Sequence, residues 1–202
     1  MMVLRFAPAS PFVRKVRIAA ALLGLDKDIE LRPTDPAKGE ADFWRENPLG
    51  KIPVLIDEHG TQYFDSRVIL EYLDHRAGGG KILPRDPAAR FAALRLQALA
   101  DGVGDACLLQ VYEGRYRPPE KHVQAWVDMQ AGKVARGLAA LEAAPPKITT
   151  TPDVGQIALA CALGYRDLRF NGDWRAKHPK LVAWLDKFSA QVPSFVETKM
   201  AA

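Results

Sequence analysis

The strongest constraint on what this chain can fold into is the stretch Asn47-Pro-Leu-Gly-Lys-Ile-Pro-Val-Leu55, followed shortly by Phe64-Asp65-Ser66. Asn47-Pro48 and Leu49-Gly50 are turn dipeptides. Val54-Leu55-Ile56 is a short apolar run of strand type, with Ile52-Pro53 at its entrance. Proline cannot donate a ladder hydrogen bond, so it belongs at the start or edge of a strand. A cis Ile52-Pro53 peptide would be a specific feature of this loop, because cis is uncommon even before proline. A strand entered this way leaves the N–H and C=O of Ile52 free to pair with an extended peptide, as in strand addition. Asp65-Ser66 then opens a helix whose apolar residues are Val68, Ile69, Tyr72 and Leu73. A helix N-terminus with a serine offers N–H groups and a hydroxyl to a carboxylate. One short segment can therefore hold the backbone of a small peptide and clamp its carboxylate, although each half alone also reads as a plain turn, strand and capped helix.

Around this stretch the chain divides in two. Val3 to Phe6 reads as a strand, broken by Ala7-Pro8-Ala9. Ser10-Pro11 is an N-cap followed by proline at the first helical position. Phe12, Val16, Ala19, Ala20 and Leu23 share a face, and Gly24 ends the helix. Asp28 to Arg32 alternates as a second strand, and a short helix is expected from Ala41 to Arg45. Strand, helix, strand, two strands in close succession and a helix form a thioredoxin-like α/β pattern over residues 1–80. Gly78-Gly79-Gly80 and Leu83-Pro84-Arg85-Asp86-Pro87 are the Gly/Pro-rich kind of segment that separates domains, with 81–87 as the linker.

From residue 88 to 202 the period is helical, which predicts an all-α bundle. Phe91, Leu94, Ala98, Leu108, Val111 and Tyr112 suggest one long helix with a weak point at Gly102 and Gly104. Pro118-Pro119 is expected to begin another, with Trp126, Val127, Val134, Leu138 and Leu141 inward. Asp153-Val-Gly-Gln156 has the spacing of a reciprocal capping box. The run Ile157 to Leu163 is apolar on all sides, as in a helix buried at a domain centre. His178-Pro179 opens a last helix with Leu181, Trp184, Leu185 and Phe188, and the tail from Pro193 is expected to be loosely held.

Charge narrows the partners. Residues 1–80 carry 11 Lys+Arg and 12 Asp+Glu, and residues 81–202 carry 17 and 12. These cations are scattered rather than clustered with aromatics, which argues against nucleic-acid binding. No apolar run reaches the ~18 residues of a membrane span, and no signal peptide is visible, so a cytoplasmic protein with reduced Cys107 and Cys161 is expected. His59, His75, His122 and His178 have no ligand spacing, so no metal is expected. No cysteine precedes Cys107, which disfavours thiol exchange by a protein thiolate at the start of the first helix.

The segment from Asn47 to Leu55 with Phe64-Asp65-Ser66, and the run Ser10-Pro-Phe-Val-Arg-Lys-Val-Arg17, resemble the N-terminal domain of glutathione S-transferases. The likeness extends over essentially the whole chain and is nearest to small bacterial members. It implies a thioredoxin-like domain joined to an all-α bundle, glutathione as co-substrate, and conjugation of glutathione to an electrophilic small molecule, as in detoxification. It also implies a homodimer.

By this resemblance Ser10 donates its hydroxyl to the glutathione thiolate at a helix N-terminus, which lowers the thiol pKa; a plain N-cap uses the same oxygen. Ile52 and Pro53 would hold the peptide backbone, Ser66 the γ-glutamyl carboxylate and Asp65 its ammonium, with N-capping as the alternative for both. Lys51 faces either the glycine carboxylate or solvent. Asp101 shares a face with Asp105. It either lies on a solvated surface or reaches the neighbouring subunit's glutathione, with Arg67 as a cross-subunit partner. Arg115, Tyr116 and Arg117 either receive an anionic second substrate or end their helix in solvent. A different class stays open, because proteins of this fold also serve as non-catalytic regulatory or protein-interaction modules.

Overall fold

The computed structural model describes residues 1–200. Strand β1 (Met2–Phe6) leads into helix α1 (Pro11–Leu23), which returns the chain to strand β2 (Ile29–Pro33). Helix α2 (Ala41–Glu46) and the strands β3 (Val54–Ile56) and β4 (Gln62–Tyr63) follow, and helix α3 (Ser66–Arg76) completes the first domain. The sheet order is β2-β1-β3-β4. Strands β1 and β2 run parallel with Leu4 opposite Leu31, and β1 and β3 run antiparallel with Leu4 opposite Leu55. This is the mixed, thioredoxin-like sheet that the pattern of strands predicts.

The remainder is helical: α4 (Pro87–Tyr116), α5 (Gln124–Ala143), α6 (Val154–Phe170), α7 (Pro179–Gln191) and α8 (Pro193–Glu197). Every residue of α6 from Val154 to Leu163 is buried, as its apolar run requires. It packs against α4 on one side and α1 on the other, and so forms the floor on which the first domain rests. The helices approach closely at Gly155, where an added Cβ would lie 2.6 Å from the Ala93 carbonyl oxygen.

Helix α4 is the one long helix expected, and it runs through Gly102 and Gly104 without a break. The cost of two helical glycines, roughly 1 kcal/mol each, is offset by the packing of the rest of the helix. Three expectations are corrected. Helix α5 opens at Gln124 rather than Pro118, so Trp126 falls in the first turn and is exposed instead of inward. Gln156 does not return to the N-cap backbone. Asp153 caps Gly155 and Gln156, while the Gln156 amide reaches Lys147 O and Thr149 and pins the preceding loop. The tail is held, because α8 buries Ser194 and Phe195 and Arg14 of α1 donates to Phe195 O and Thr198 Oγ1.

The junction between the domains has a cap of its own. Gly78, Gly79 and Gly80 all have positive φ, a conformation glycine adopts without steric cost. Beneath them the buried Asp74 carboxylate accepts from the N–H groups of Gly80, Lys81 and Ile82 at 2.7–2.9 Å. Ile82 O in turn accepts from Val154 N at the start of α6. Asp74→Ala strands these donors, each worth about 1–3 kcal/mol when buried without a partner. We expect a loss of about 3 kcal/mol in denaturant unfolding, with Asp74→Asn losing less because one acceptor remains.

Candidate active site

Ser10 stands at the N-terminus of α1 with extended backbone, and its Oγ accepts from Val13 N at 3.3 Å. The cap occupies a lone pair and leaves the O–H hydrogen available to donate. Capping and donation to a thiolate therefore use different parts of one hydroxyl and do not exclude each other.

The loop before β3 is built by a single buried side chain. Asn47 donates through Nδ2 to Lys51 O at 2.8 Å, accepts from Leu49 N at 3.0 Å, and its carbonyl accepts from Gly50 N. Gly50 completes the turn at φ +59 beneath the Trp44 indole, which leaves little room for a Cβ. Upstream, Arg5 of β1 holds Glu46 through two bonds of 2.6 and 2.8 Å, so α2 delivers Asn47 to a fixed place. The Ile52-Pro53 peptide is cis. Pro53 is buried, Ile52 half-buried and Lys51 exposed.

The other wall comes through β4. Asp57 Oδ1 accepts from His59 N and Thr61 N, and Oδ2 from the Tyr63 hydroxyl, which shapes the turn between β3 and β4. Tyr63 stacks on Tyr72 of α3 at 4.0 Å. Asp65 is the N-cap of α3, with Oδ1 accepting from Arg67 N at 2.8 Å, while Ser66 is buried in the first turn. The exposed Asp65 keeps its second oxygen uncommitted among the described residues.

Asp101 is not on a solvated face, and this expectation is corrected. It is 4% exposed, and its carboxylate accepts from Lys15 Nζ at 2.7 and 3.0 Å and from Arg67 Nε at 2.9 Å. Arg67 meets it within the same chain, not across a subunit boundary. Lys15, a residue whose role sequence reasoning missed, is 1% exposed. The three side chains join α1, α4 and α3 at one point, reached from α3 by Arg67, the residue after Ser66. Arg115 lies 5.6 Å from the Tyr112 ring, Arg117 pairs with Glu113, and Tyr116 is exposed at the end of α4; they frame the helix terminus.

Beside Ser10 opens a cavity of about 680 Å³, bounded by Pro8 to Pro11 on one side, by Tyr165 and Leu168 of α6 on another, and by Val196, Lys199 and Met200 of the tail. That is within the ordinary range for small-molecule sites. Of the residues expected to hold glutathione, Ser10 alone lines it. Cys161 lies at its base, and burial pushes its thiol up to about 11; burial also raises Cys107. Both remain protonated thiols at neutral pH. Among the described residues no three His, Cys, Asp or Glu gather as a metal site, and no helix is long and apolar enough to cross a membrane.

Residues 4–81 match the model of the glutathione S-transferase N-terminal domain, and residues 124–187 match that of its C-terminal domain. The GST-like protein YibF of Escherichia coli K12 is 35% identical over 94% of both chains. The chain belongs to the glutathione S-transferase family. A glutathione transferase family member from Pseudomonas fluorescens Pf-5, solved with bound glutathione, superposes with a TM-score of 0.91 at 41% identity, covering both chains in full. The same protein has been solved with bound S-(propanoic acid)-glutathione (TM-score 0.88). A glutathione S-transferase from Methylobacillus flagellatus KT with glutathione bound gives 0.91 at 37%, again over both chains in full.

The ion pair of Lys15 and Asp101 makes a direct prediction. Removing one partner of a buried pair typically costs about 3–5 kcal/mol, whereas replacing both with apolar groups is near neutral. Lys15→Met should lower unfolding free energy by that amount, and Lys15→Met with Asp101→Leu should recover most of it. A double variant as unstable as the single one would show that the pair's charge is not the issue.

Proposed function

We propose that this protein is a glutathione transferase that binds glutathione along Lys51, Ile52, Pro53, Asp65 and Ser66, stabilises its thiolate at Ser10, and conjugates it to an electrophile in the adjoining cavity. The observation that carries this reading is the position of Ser10. Its hydroxyl has a free donor hydrogen at the positive end of α1, and Ser10 lines the cavity. A thiolate there gains from the helix dipole and from one charge-assisted hydrogen bond. Ile52 supports the binding role, because its N–H and C=O have no partner among the described residues and a peptide backbone can pair with both. The bound S-(propanoic acid)-glutathione of the Pseudomonas fluorescens relative supports a site with space beyond sulfur. Catalysis would rest on proximity and thiolate stabilisation, with no covalent enzyme intermediate. A cytoplasmic location and a detoxifying role go with this reading.

Ser10→Ala tests it. Turnover with a generic aryl halide should fall, and the pKa of bound glutathione should rise toward the free-thiol value near ~8.5, while stability drops by only about 1 kcal/mol. Unchanged turnover and thiol pKa with the same loss of stability would reduce Ser10 to a cap. Retention on glutathione resin without turnover by the wild type would point instead to a non-catalytic glutathione-binding module.

We further propose a homodimer. Val68 of α3 and Phe91 of α4 are exposed apolar residues on helices tied together by Arg90–Glu71 and Arg67–Asp101, a rigid surface suited to an isologous two-fold contact. Light scattering at micromolar concentration should give twice 22.3 kDa; a clean monomer rules the dimer out.

A further inference from the structure

The cavity beside Ser10 holds a cation with no ion-pair partner among the described residues. Arg14 lies on α1 one turn beyond Ser10, about 6 Å along the axis, and is 9% exposed. Its guanidinium donates through Nη2 to Phe195 O and through Nε to Thr198 Oγ1, and lies 4.0 Å from the Phe195 ring centre. All three partners are uncharged. The Nη1 hydrogens, beside Gly164, and one on Nη2 stay uncommitted among the described residues.

The cavity's own carboxylate does not serve Arg14. Asp167 accepts from Arg175 Nε and Nη2 at 2.9 and 2.6 Å and from Trp174 Nε1 at 2.9 Å. Arg17 adds positive charge from the next turn, since it shares no ion pair among the described residues and lies 5.9 Å from the Phe6 ring. Burial above all, and the Arg17 charge, disfavour the protonated form of Arg14, while Asp167 favours it only through space, with no hydrogen bond between them. Lys199 stands on the exposed rim, also without an ion pair among the described residues. A buried charge is costly unless paired, and an arginine fork matches a carboxylate in geometry as well as charge. Among the described residues the lining thus carries two positive charges without an ion pair, Arg14 about one helical turn from Ser10 and Lys199 on the rim. The residues expected to hold the two carboxylates of glutathione, Ser66 and Lys51, are not part of it.

We propose that the acceptor bound in this cavity is an electrophile that carries a carboxylate, received by Arg14 with Lys199 at the rim, so that the products are S-conjugates of glutathione with an acidic substituent. This rests on the glutathione-transferase reading and specifies its second substrate. In the substitution that tests it, the glutathione sulfur bonds to a benzylic carbon. The carbon–chlorine bond breaks, chloride leaves with the electron pair, and the thiol proton passes to solvent. Arg14 takes no part in bond making; it positions the acceptor.

The test compares 4-(chloromethyl)benzoate with 4-(chloromethyl)benzamide, which share the reacting carbon and differ in charge at the far end. Each kcat/KM is divided by the rate with free glutathione alone. A charge-assisted hydrogen bond in a partly dry site predicts a preference for the acid of roughly tenfold or more. Arg14→Gln should bring the ratio of acid to amide near one, and Lys199→Ala should lower it part of the way. Arg14 also holds the tail, so Arg14→Gln removes an anchor of α8 as well as the charge. A binding measurement on the wild type therefore stands beside it. In calorimetry, S-(2-carboxyethyl)glutathione should bind roughly tenfold more tightly than S-(2-carbamoylethyl)glutathione. Equal affinities, or a ratio near one in the wild-type enzyme, overturn the proposal while leaving glutathione binding intact. Failure to bind glutathione itself would overturn the transferase reading and this one with it.

Discussion

The contact between Lys15 and Asp101 is what the two-domain arrangement turns on. An ammonium and a carboxylate removed from water cost several kcal/mol each unless they find one another in good geometry. Here they do, with Arg67 as a second donor on the same carboxylate. The pair has no satisfactory arrangement if α1 and α4 slide or separate, because either motion leaves a charge buried and alone. Apolar packing of α6 against both helices provides the adhesion, and the ion pair sets the register. Arg67 extends that register to the first turn of α3, where Ser66 sits.

Two further polar side chains act in the same way on a smaller scale. Asn47 replaces the ladder that a loop lacks with bonds to its own neighbours, which presents Ile52 with unpaired backbone groups. Asp74 gathers the N–H groups of a glycine-rich junction that has no secondary structure to satisfy them. In each case a buried polar group is tolerated because its capacity is filled, and the result is a fixed backbone where flexibility would be the default. The candidate site is thus held by rigid elements although much of it lies on loops.

What the sequence disclosed, and what it did not, follows the range of the interactions involved. Ser10-Pro11, Gly24 and Asp153 announce their caps because cap chemistry is local, complete within a few residues. The β3 entrance at Ile52-Pro53 and the buried α6 are legible for the same reason: turn residues and apolar runs carry their meaning in place. Lys15 and Arg14 are opaque. A charged residue at a helical position reads as solvent-facing, and their partners lie 86 and 184 residues away. The tail looked loose because its anchor is an arginine near the other end of the chain. A helix phased from Pro118 would bury Trp126, whereas the Glu113 carboxylate, accepting from Val123 N, sets the start of α5 at Gln124.

Helix α6 divides its labour along its length. Its first half is made of small and branched residues with no surface to spare, so any change there disturbs α1 and α4 together. Beyond Leu163 the same helix turns Tyr165 and Leu168 toward the cavity, where the opposite wall is a short helix and a tail rather than a packed core. Substitutions at the half-buried Leu168 alter the shape and polarity of the space with little effect on the scaffold, whereas Tyr165, 4% exposed, belongs to both. A lineage built on this frame can therefore explore new chemistry at one end of a helix while the other end stays invariant, and diversification of what is accepted need not be bought with stability.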